Sequence, residues 1–180
     1  MDDYESVKAE DKAALAQFPG IVYQKGKKDQ QINVSFFGIE ADEFLAPNLV
    51  KGRMFKNTGE VVVNDSLAKE DGLQVGDQLK VAGSKQTLKI VGFTDEAMYN
   101  VAPVIYMSLA DFQEIRFNQI LPKEAQKINA IVLREKPKQV ANHLEEIKIS
   151  DFIDDLPGYR AQNLTFAFMI GFLIYHRFLH

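Results

Sequence analysis

Residues of the kind that carry out chemistry are few in this sequence, and their spacing is poor for catalysis. The 180 residues include three histidines and no cysteine, which excludes disulfides and thiolate metal sites. His143 falls among apolar residues of a predicted helix and is read as a structural histidine. His176 and His180 share a helical spacing of four, but two ligands without a nearby carboxylate make a poor metal site. We therefore predict no catalytic residue, no metal site and no resident cofactor.

The remaining charged groups are better explained as solvated or paired. Asp151, Asp154 and Asp155 lack the glycine and the ligand spacing of a calcium loop, so a solvated face is favoured over a cation site. Residues 25–28 contain three lysines, and a loop tip is favoured over a contact with phosphate or lipid headgroups. Arg53 is expected to pair with a carboxylate rather than to bind an anion.

Cofactor and nucleic-acid binding find little support in the composition. Tyr99, Tyr106 and Met107 lie close in sequence and are of types that can ligate heme, but we assign them no such role. The formal net charge is -4, and the 21 Lys and Arg residues form no basic stripe, which argues against nucleic acid as a partner. No Walker A motif is present, so the chain is not expected to hydrolyse ATP by that route.

Turn residues divide the middle of the chain into short β-rich runs. Gly72 is placed to end a short helix, and Gly76-Asp77 forms a tight turn. A hairpin is predicted around the turn at residues 82–85. The predicted elements are a strand at 60–64, a helix at 66–71, hairpin strands at 78–81 and 86–91, and a strand at 104–107.

Helical patterns are assigned mainly to the two ends. A helix over 1–18 is predicted to stop at Pro19-Gly20, and two strands, 21–24 and 31–39, follow as a hairpin. Ser108 is the predicted N-cap of a helix over 109–118, with Asp111 three residues on. A strand over 128–133 and a helix over 138–147 complete the assignment. The fold class is therefore predicted as α+β, with an α/β lobe from both chain ends (1–36 and 100–158) and an inserted β-rich lobe (37–99).

The tail differs from the rest in being uniformly apolar. Residues 164–174 read LTFAFMIGFLI, without a charge, and would span about 17 Å as a helix. A bilayer core requires about 30 Å, whereas a helix that is apolar all round suits lipid or a large core. We predict that 159–174 is the start of a truncated transmembrane helix, and that 175–180 is a cloning or frameshift tail.

An ordered series of short motifs resembles a known family. Gly52-Arg53, then residues 61–68, 72–77, 90–92 and 103–108, resemble the extracytoplasmic domain of FtsX-like (MacB-type) ABC-transporter permeases. In detail they are similar to permease subunits of heme-efflux systems in Gram-positive bacteria. The matching positions, expected to be structural, are Gly52, Arg53, Asn64, Gly76, Asp77, Gly92 and Pro103.

The resemblance implies a non-enzymatic part of a membrane transporter. It implies a dimer of permeases, a separate cytoplasmic ABC ATPase, a cell-membrane location with this domain outside the cytoplasm, and mechanotransmission through the external domain. Heme or another hydrophobic small molecule is the candidate cargo. The points of coupling to the membrane helices would be Asp2, Tyr4, Val7, Pro157, Gly158 and Tyr159. An alternative is a membrane-anchored surface module, for example one that controls a wall hydrolase, without transport.

Overall fold

The computed structural model describes residues 2–27, 30–95, 98–99, 102–134, 137–138, 144–148 and 172–175. The described helices are α1 (Asp2–Ser6), α2 (Ser66–Asp71) and α3 (Leu109–Phe117), with a 3-10 turn at Lys123–Ala125. The strands are β1 (Lys12–Gln24), β2 (Ile32–Ile39), β3 (Lys51–Gly52), β4 (Glu60–Asn64), β5 (Gln78–Val81), β6 (Thr87–Thr94), β7 (Met98–Tyr99), β8 (Ala102–Ser108), β9 (Ala130–Leu133), β10 (Glu145–Lys148) and β11 (Phe172–Tyr175). The content is thus mixed helix and strand, as predicted.

Six of the strands pair in a closed ring. β1 pairs with β2, β2 with β8, β8 with β4, β4 with β6, and β6 with β5. β5 then returns to β1, where Val22 pairs with Ile32 on one edge and with Val81 on the other. The ring is a small β-barrel, and closure of this kind removes exposed strand edges.

The first half of β1 also carries a second group of strands. Lys12–Leu15 pairs antiparallel with β9, which pairs with β11, and β11 pairs with β10. Strands from all three predicted ranges therefore join in one continuous sheet. This pairing does not confirm a separate lobe over 37–99, and the lobe boundaries stay a prediction.

Two apolar clusters lie on opposite faces of the barrel wall. The inner cluster fills the barrel with side chains from all six strands, among them Val22, Phe36, Val61, Leu79, Ile90 and Ile105. The outer cluster lies beneath residues 40–55, where Leu45 and Phe55 cover Phe37, Val62 and Tyr106. Strands covered on both faces read as continuous apolar runs, which explains why every residue of β4 is buried.

The helix predicted over 1–18 is wrong after Ser6. The chain becomes a strand at Lys12, and Pro19-Gly20 lies inside that strand rather than ending a helix. Lys12–Leu15 pairs with β9 and Ala16–Val22 pairs with β2, so partners far along the chain override the local helical pattern. A Cβ on Gly20 would lie 2.4 Å from the Phe36 ring, so close ring packing explains the glycine.

Local turn and cap predictions in the middle of the chain are confirmed. Gly72 ends α2 with a φ of 70°, in the left-handed region that favours glycine. The β5–β6 hairpin forms around residues 82–86. Ser108 caps α3 by accepting a hydrogen bond from the Asp111 backbone N–H at 3.1 Å.

Two helix predictions near the C-terminus are wrong where the structure describes them. Glu145–Lys148 forms β10 rather than the end of a helix, and Phe172–Tyr175 forms β11 rather than the end of an apolar helix. β11 lies between β9 and β10, so its pairing satisfies the backbone groups of both neighbouring strands. Lys138 and Leu144 lie in bends, and the rest of both segments lies outside the described residues. Within the described part of the chain, no helix is long and apolar enough to cross a membrane.

Candidate functional site

Tyr4 joins α1 to the strand that follows it. Its hydroxyl lies 3.0 Å from the Lys12 carbonyl oxygen and 3.3 Å from the Glu43 carboxylate, so two acceptors share one donor. The Lys12 ammonium group lies 4.2 Å from the centre of the Tyr4 ring and donates to the Tyr4 carbonyl oxygen at 2.6 Å. We call Tyr4, Val7, Lys12 and Glu43 the α1 anchor.

The electrostatics of the α1 anchor are governed by partial burial. Burial raises the pKa of Glu43, and the hydrogen bond from the Ala14 backbone N–H opposes this shift only in part. Burial and the neighbouring Glu43 carboxylate raise the pKa of Tyr4, while burial lowers that of Lys12. Ala14 donates its backbone N–H to the second Glu43 oxygen at 3.3 Å. The anchor therefore ties α1 both to β1 and to the loop after β2.

Val7 fixes the end of α1 to the β9 strand. Its side chain is fully buried in a small cluster with Ile131 and Leu133, and Leu144 packs against it. Tyr4, another predicted coupling position, packs against the same cluster, and the coupling role of both residues stays a prediction. Asp2 is described only in its backbone, as the first residue of α1. Pro157, Gly158 and Tyr159 lie outside the described residues, so their coupling role stays a prediction.

Arg53 pairs with Glu60, in agreement with the predicted carboxylate partner. One guanidinium nitrogen donates to Glu60 at 2.8 Å, and the other forms a shorter contact with the second carboxylate oxygen. The backbone N–H groups of Lys56 and Asn57 donate to the same carboxylate at 3.0 and 3.1 Å. The Arg53 guanidinium and these N–H groups hold the pKa of Glu60 well below its usual range. The ion pair and these hydrogen bonds hold the turn between Arg53 and Glu60 next to the start of β4.

Gly52 and Gly92 allow β3 to approach β6 closely. Gly52 has a φ of 81°, and a Cβ there would lie 2.2 Å from the Val91 carbonyl oxygen. A Cβ on Gly92 would lie 2.5 Å from the Arg53 carbonyl oxygen. The Gly-Arg motif therefore lies where two backbones approach closely, and it positions the Arg53 side chain next to Glu60.

The other motif residues occupy turns and strand positions. Gly76 donates its backbone N–H to Ile90, and Asp77 accepts from the Gln74 backbone N–H at 2.9 Å and from the Gln24 amide at 3.0 Å. Asn64 is buried, and its side chain accepts from the Ser66 backbone N–H at 2.9 Å. Pro103 pairs with Met98 at the start of β8. These motif residues lie in turns and at strand positions, and none of them belongs to the α1 anchor.

Candidate heme ligands are separated rather than assembled. Tyr106 belongs to the outer cluster and Met107 to the barrel interior, because successive residues of a strand face opposite sides. Tyr99 is described only in its backbone. His143, His176, His180 and the three aspartates of 151–155 lie outside the described residues. Among the residues that the structure does describe, no group of three or more histidine and acidic side chains could hold a metal ion.

Sequence reasoning missed the partners Lys12, Glu43 and Glu60. Glu43 meets Tyr4 across 39 positions, and no local pattern marks that contact. Glu60 had a usable signal, since a carboxylate at the start of a buried apolar strand requires a cation partner, and Arg53 is seven residues away.

Comparison with known proteins agrees with the motif series. Residues 1–148 match the model of the MacB-like periplasmic core domain. Over 131 residues the chain is 28% identical to a Staphylococcus epidermidis protein named "Putative hemin transport system permease protein HrtB", covering 69% of this chain and 34% of that protein. A second strain's protein of the same name is 30% identical over 92 residues, covering 47% and 26%. The chain thus spans about a third of the relatives' length or less.

Two solved structures of external transporter domains align with part of this chain. The extracellular domain of the noncanonic ABC-type transporter YknZ from Gram-positive bacteria has a TM-score of 0.48 at 12% identity, covering 66% of each chain. The periplasmic region of MacB from Actinobacillus actinomycetemcomitans has a TM-score of 0.47 at 13% identity, covering 61% of this chain and 52% of that one. The family model covers most of the sequence. The chain belongs to the family of MacB-like periplasmic core domains.

Proposed function

We propose that this chain is the extracytoplasmic domain of an ABC-transporter permease that couples ATP hydrolysis in a separate cytoplasmic subunit to export. The family match over residues 1–148 carries the proposal. The relatives named as hemin transport permeases support heme as the exported molecule. The cell envelope of a Gram-positive bacterium is the proposed location.

The α1 anchor supports a mechanical role for the N-terminal end. In the proposal, a membrane helix leads into α1, and its displacement reaches β1 through Tyr4 and β9 through Val7. Pro157, Gly158 and Tyr159 remain the proposed second point of coupling to the membrane helices. The barrel and the strands beyond β9 then move as the membrane helices move, and two permease copies with their ATPases form the working transporter.

A hemin-resistance assay tests the proposed function in cells. Deletion of the whole permease gene should make the source organism sensitive to hemin, and the intact gene should restore growth. Valine at position 7 is fully buried, so Val7→Ala should leave the domain folded but loosen α1, and should restore growth only in part. Glu5→Gln, at an exposed position of the same helix, is the matched control and should restore growth fully.

The outcomes separate the parts of the proposal. Full resistance of the deletion strain to hemin would exclude heme as the cargo. Full rescue by Val7→Ala, at equal protein level in the membrane, would exclude coupling through the α1 anchor. If the purified whole permease fails to stimulate ATP hydrolysis by the ABC subunit, transport itself is excluded, and a surface module that controls a wall hydrolase becomes the better explanation.

A further inference from the structure

The end of the barrel away from α1 carries three lysines on one outward sheet face. Val22, Leu79 and Val81 point into the barrel, so the alternating neighbours of these residues point outward. Lys25 continues the β1–β5 ladder, donating its backbone N–H to the Gln78 carbonyl oxygen at 2.8 Å. We define the basic sheet face as Lys25, Gln78, Lys80 and Lys89, all four of which are exposed.

Register places the three lysines around Gln78. Lys25 is opposite Gln78 on one side, and Lys89 is opposite Gln78 on the other. Adjacent strands are about 4.8 Å apart, so Lys25 and Lys89 are about 10 Å apart, and Lys80 lies about 7 Å further along β5. The lysine side chains are long and flexible, so their ammonium groups can follow a row of negative charges.

Gln78 contributes hydrogen-bond donors to this face. The Lys25 ammonium group donates to the Gln78 side-chain oxygen at 2.7 Å. An ammonium group cannot accept a hydrogen bond, so this contact fixes the amide with its oxygen toward Lys25. The two amide hydrogens remain available beside the lysines, and an oxyanion accepts such donors.

The two carboxylates nearest this face accept hydrogen bonds from other groups, and of the two Glu60 is the one paired with a cation. Glu60 is opposite Lys89 in β4, but its oxygens accept from Arg53, Lys56 and Asn57. Asp77 accepts from Gln74 and Gln24. In the described part of the chain, the ion pairs are Arg53–Glu60, Lys69–Asp65 and Lys138–Glu10, so none involves the basic sheet face.

We propose that the basic sheet face binds a linear polyanion of repeated phosphate groups outside the cell. The lysines line an open barrel exterior, which suits a chain of repeated charges better than a single enclosed phosphate. A lipid surface fits less well, because the exposed large apolar residues among those described are Val50, Val75, Phe117 and Ile120, none of which lies on this face. Lys25 also lies about 40 Å along β1 from Lys12, because thirteen residues of strand separate them. The basic sheet face is therefore distant from the proposed membrane-proximal end.

Binding of fluorescently labelled linear polyphosphate to the 180-residue chain tests the proposal. The triple variant Lys25→Gln, Lys80→Gln, Lys89→Gln should bind at least tenfold more weakly at 150 mM salt. Its slope of log K against log salt should be shallower than wild type by about 2, since each phosphate contact in a flexible strand contributes roughly 0.7. The control Lys69→Gln, Lys123→Gln, Lys127→Gln removes the same charge from other exposed positions and should bind within twofold of wild type.

Competitors and vesicles identify the source of the phosphate. Inorganic phosphate at the same total phosphate concentration should leave the polymer bound, and vesicles with anionic lipids should not bind through these lysines. An equal loss in both triple variants would overturn the proposal, as non-specific charge attraction would then explain binding. Displacement by inorganic phosphate, or equally tight lysine-dependent binding to the vesicles, would overturn the polymer assignment. Unchanged thermal unfolding of both variants checks that the fold is intact.

Discussion

Glu60 shows how a single carboxylate organises a turn. It accepts hydrogen bonds from the Arg53 guanidinium and from the backbone N–H groups of Lys56 and Asn57. Its side chain is 10% exposed, whereas that of Arg53 is 48% exposed. The backbone donors therefore add to the ion pair, because a half-exposed ion pair alone contributes little.

Loss of the Glu60 carboxylate should change how the free energy of unfolding falls at acid pH. The pKa of Glu60 is lowered in the folded protein, so its stabilising contribution is present above the unfolded pKa of about 4.3 and is lost as pH falls through the folded value. Glu60→Gln should lower the free energy of unfolding by about 1–2 kcal/mol at pH 7 and flatten its decline below pH 4. Urea unfolding from pH 3 to 7 measures this, with exposed Glu70→Gln as the control. Parallel pH curves for wild type and Glu60→Gln would contradict the assignment.

Substitution of Gly92 tests the close approach of the β3 backbone to the β6 backbone. A methyl group there would meet the Arg53 carbonyl oxygen at 2.5 Å, and backbone cannot move aside as a side chain can. Gly92→Ala should therefore destabilise the protein by more than about 2 kcal/mol. Gly83→Ala, at a φ of 76° with open space around it, should cost about 1 kcal/mol for backbone conformation alone. Thermal unfolding of the two variants compares them, and equal losses would show that crowding at Gly92 is unimportant.

At the scale of the element, α1 is too short to be stable alone and depends on its contacts. A five-residue helix has little intrinsic stability in water. Tyr4→Phe removes the hydroxyl shared by Lys12 and Glu43, and should lower stability by about 1 kcal/mol and speed hydrogen exchange in α1. Hydrogen-exchange mass spectrometry measures this, and unchanged exchange would show that Val7 alone holds the helix.

Glu43→Gln should behave differently from Tyr4→Phe. The pKa of Glu43 is raised in the folded protein, so the folded state loses stability as pH rises from about 4.3 through the folded value. A neutral glutamine can accept from Ala14 and donate to the Tyr4 oxygen, without a buried charge. The variant should therefore be as stable as wild type or more stable at pH 7, by chemical unfolding. A loss above about 1 kcal/mol would show that the Glu43 charge is needed.

Elements defined by nearby residues could be predicted, whereas those defined by distant partners could not. α2 and the cap of α3 follow from Gly72 and Ser108, whose signals act within a few residues. The local apolar spacing predicts a helix up to residue 18, which includes the first part of β1, whereas Lys12 pairs with Leu133, 121 positions away (133 − 12). For the same reason the sequence could mark Tyr4 and Val7 as positions at the N-terminal end of the domain. It could not mark Glu43 as the partner of Tyr4, because the two are far apart along the chain.

At the scale of the whole molecule, the sequence predicts the mixed helix and strand class of the fold but not the closure of the barrel. Two hairpins are visible as sequence patterns, yet the contact that closes the ring is Val22 with Val81. Closure requires that β1 have hydrogen-bonding partners on both edges, and a single strand's sequence carries no mark of this.

A designed crosslink tests the closure directly. The sequence lacks cysteine, so Val22→Cys with Val81→Cys introduces a single pair of thiols. These positions are directly opposite in adjacent antiparallel strands, within the separation that a disulfide spans. The oxidised double variant should form the intramolecular bond and gain about 2–4 kcal/mol of stability over its reduced form. Ala16→Cys with Val81→Cys should not crosslink, since Ala16 lies about 20 Å along β1. Failure of the first pair would mean an open ring.

The pairing of β1 has a mechanical consequence. Hydrogen bonds to β2 along one edge, and to β9 and β5 along the other, lie across the strand axis. Tension applied along β1 from its Lys12 end therefore loads many bonds in shear at once. Tension applied across the sheet at β10 would instead peel the strands apart one bond at a time. The domain therefore resists force along β1 and deforms under force across the sheet. The direction of a pulling force decides whether that force is transmitted through the domain.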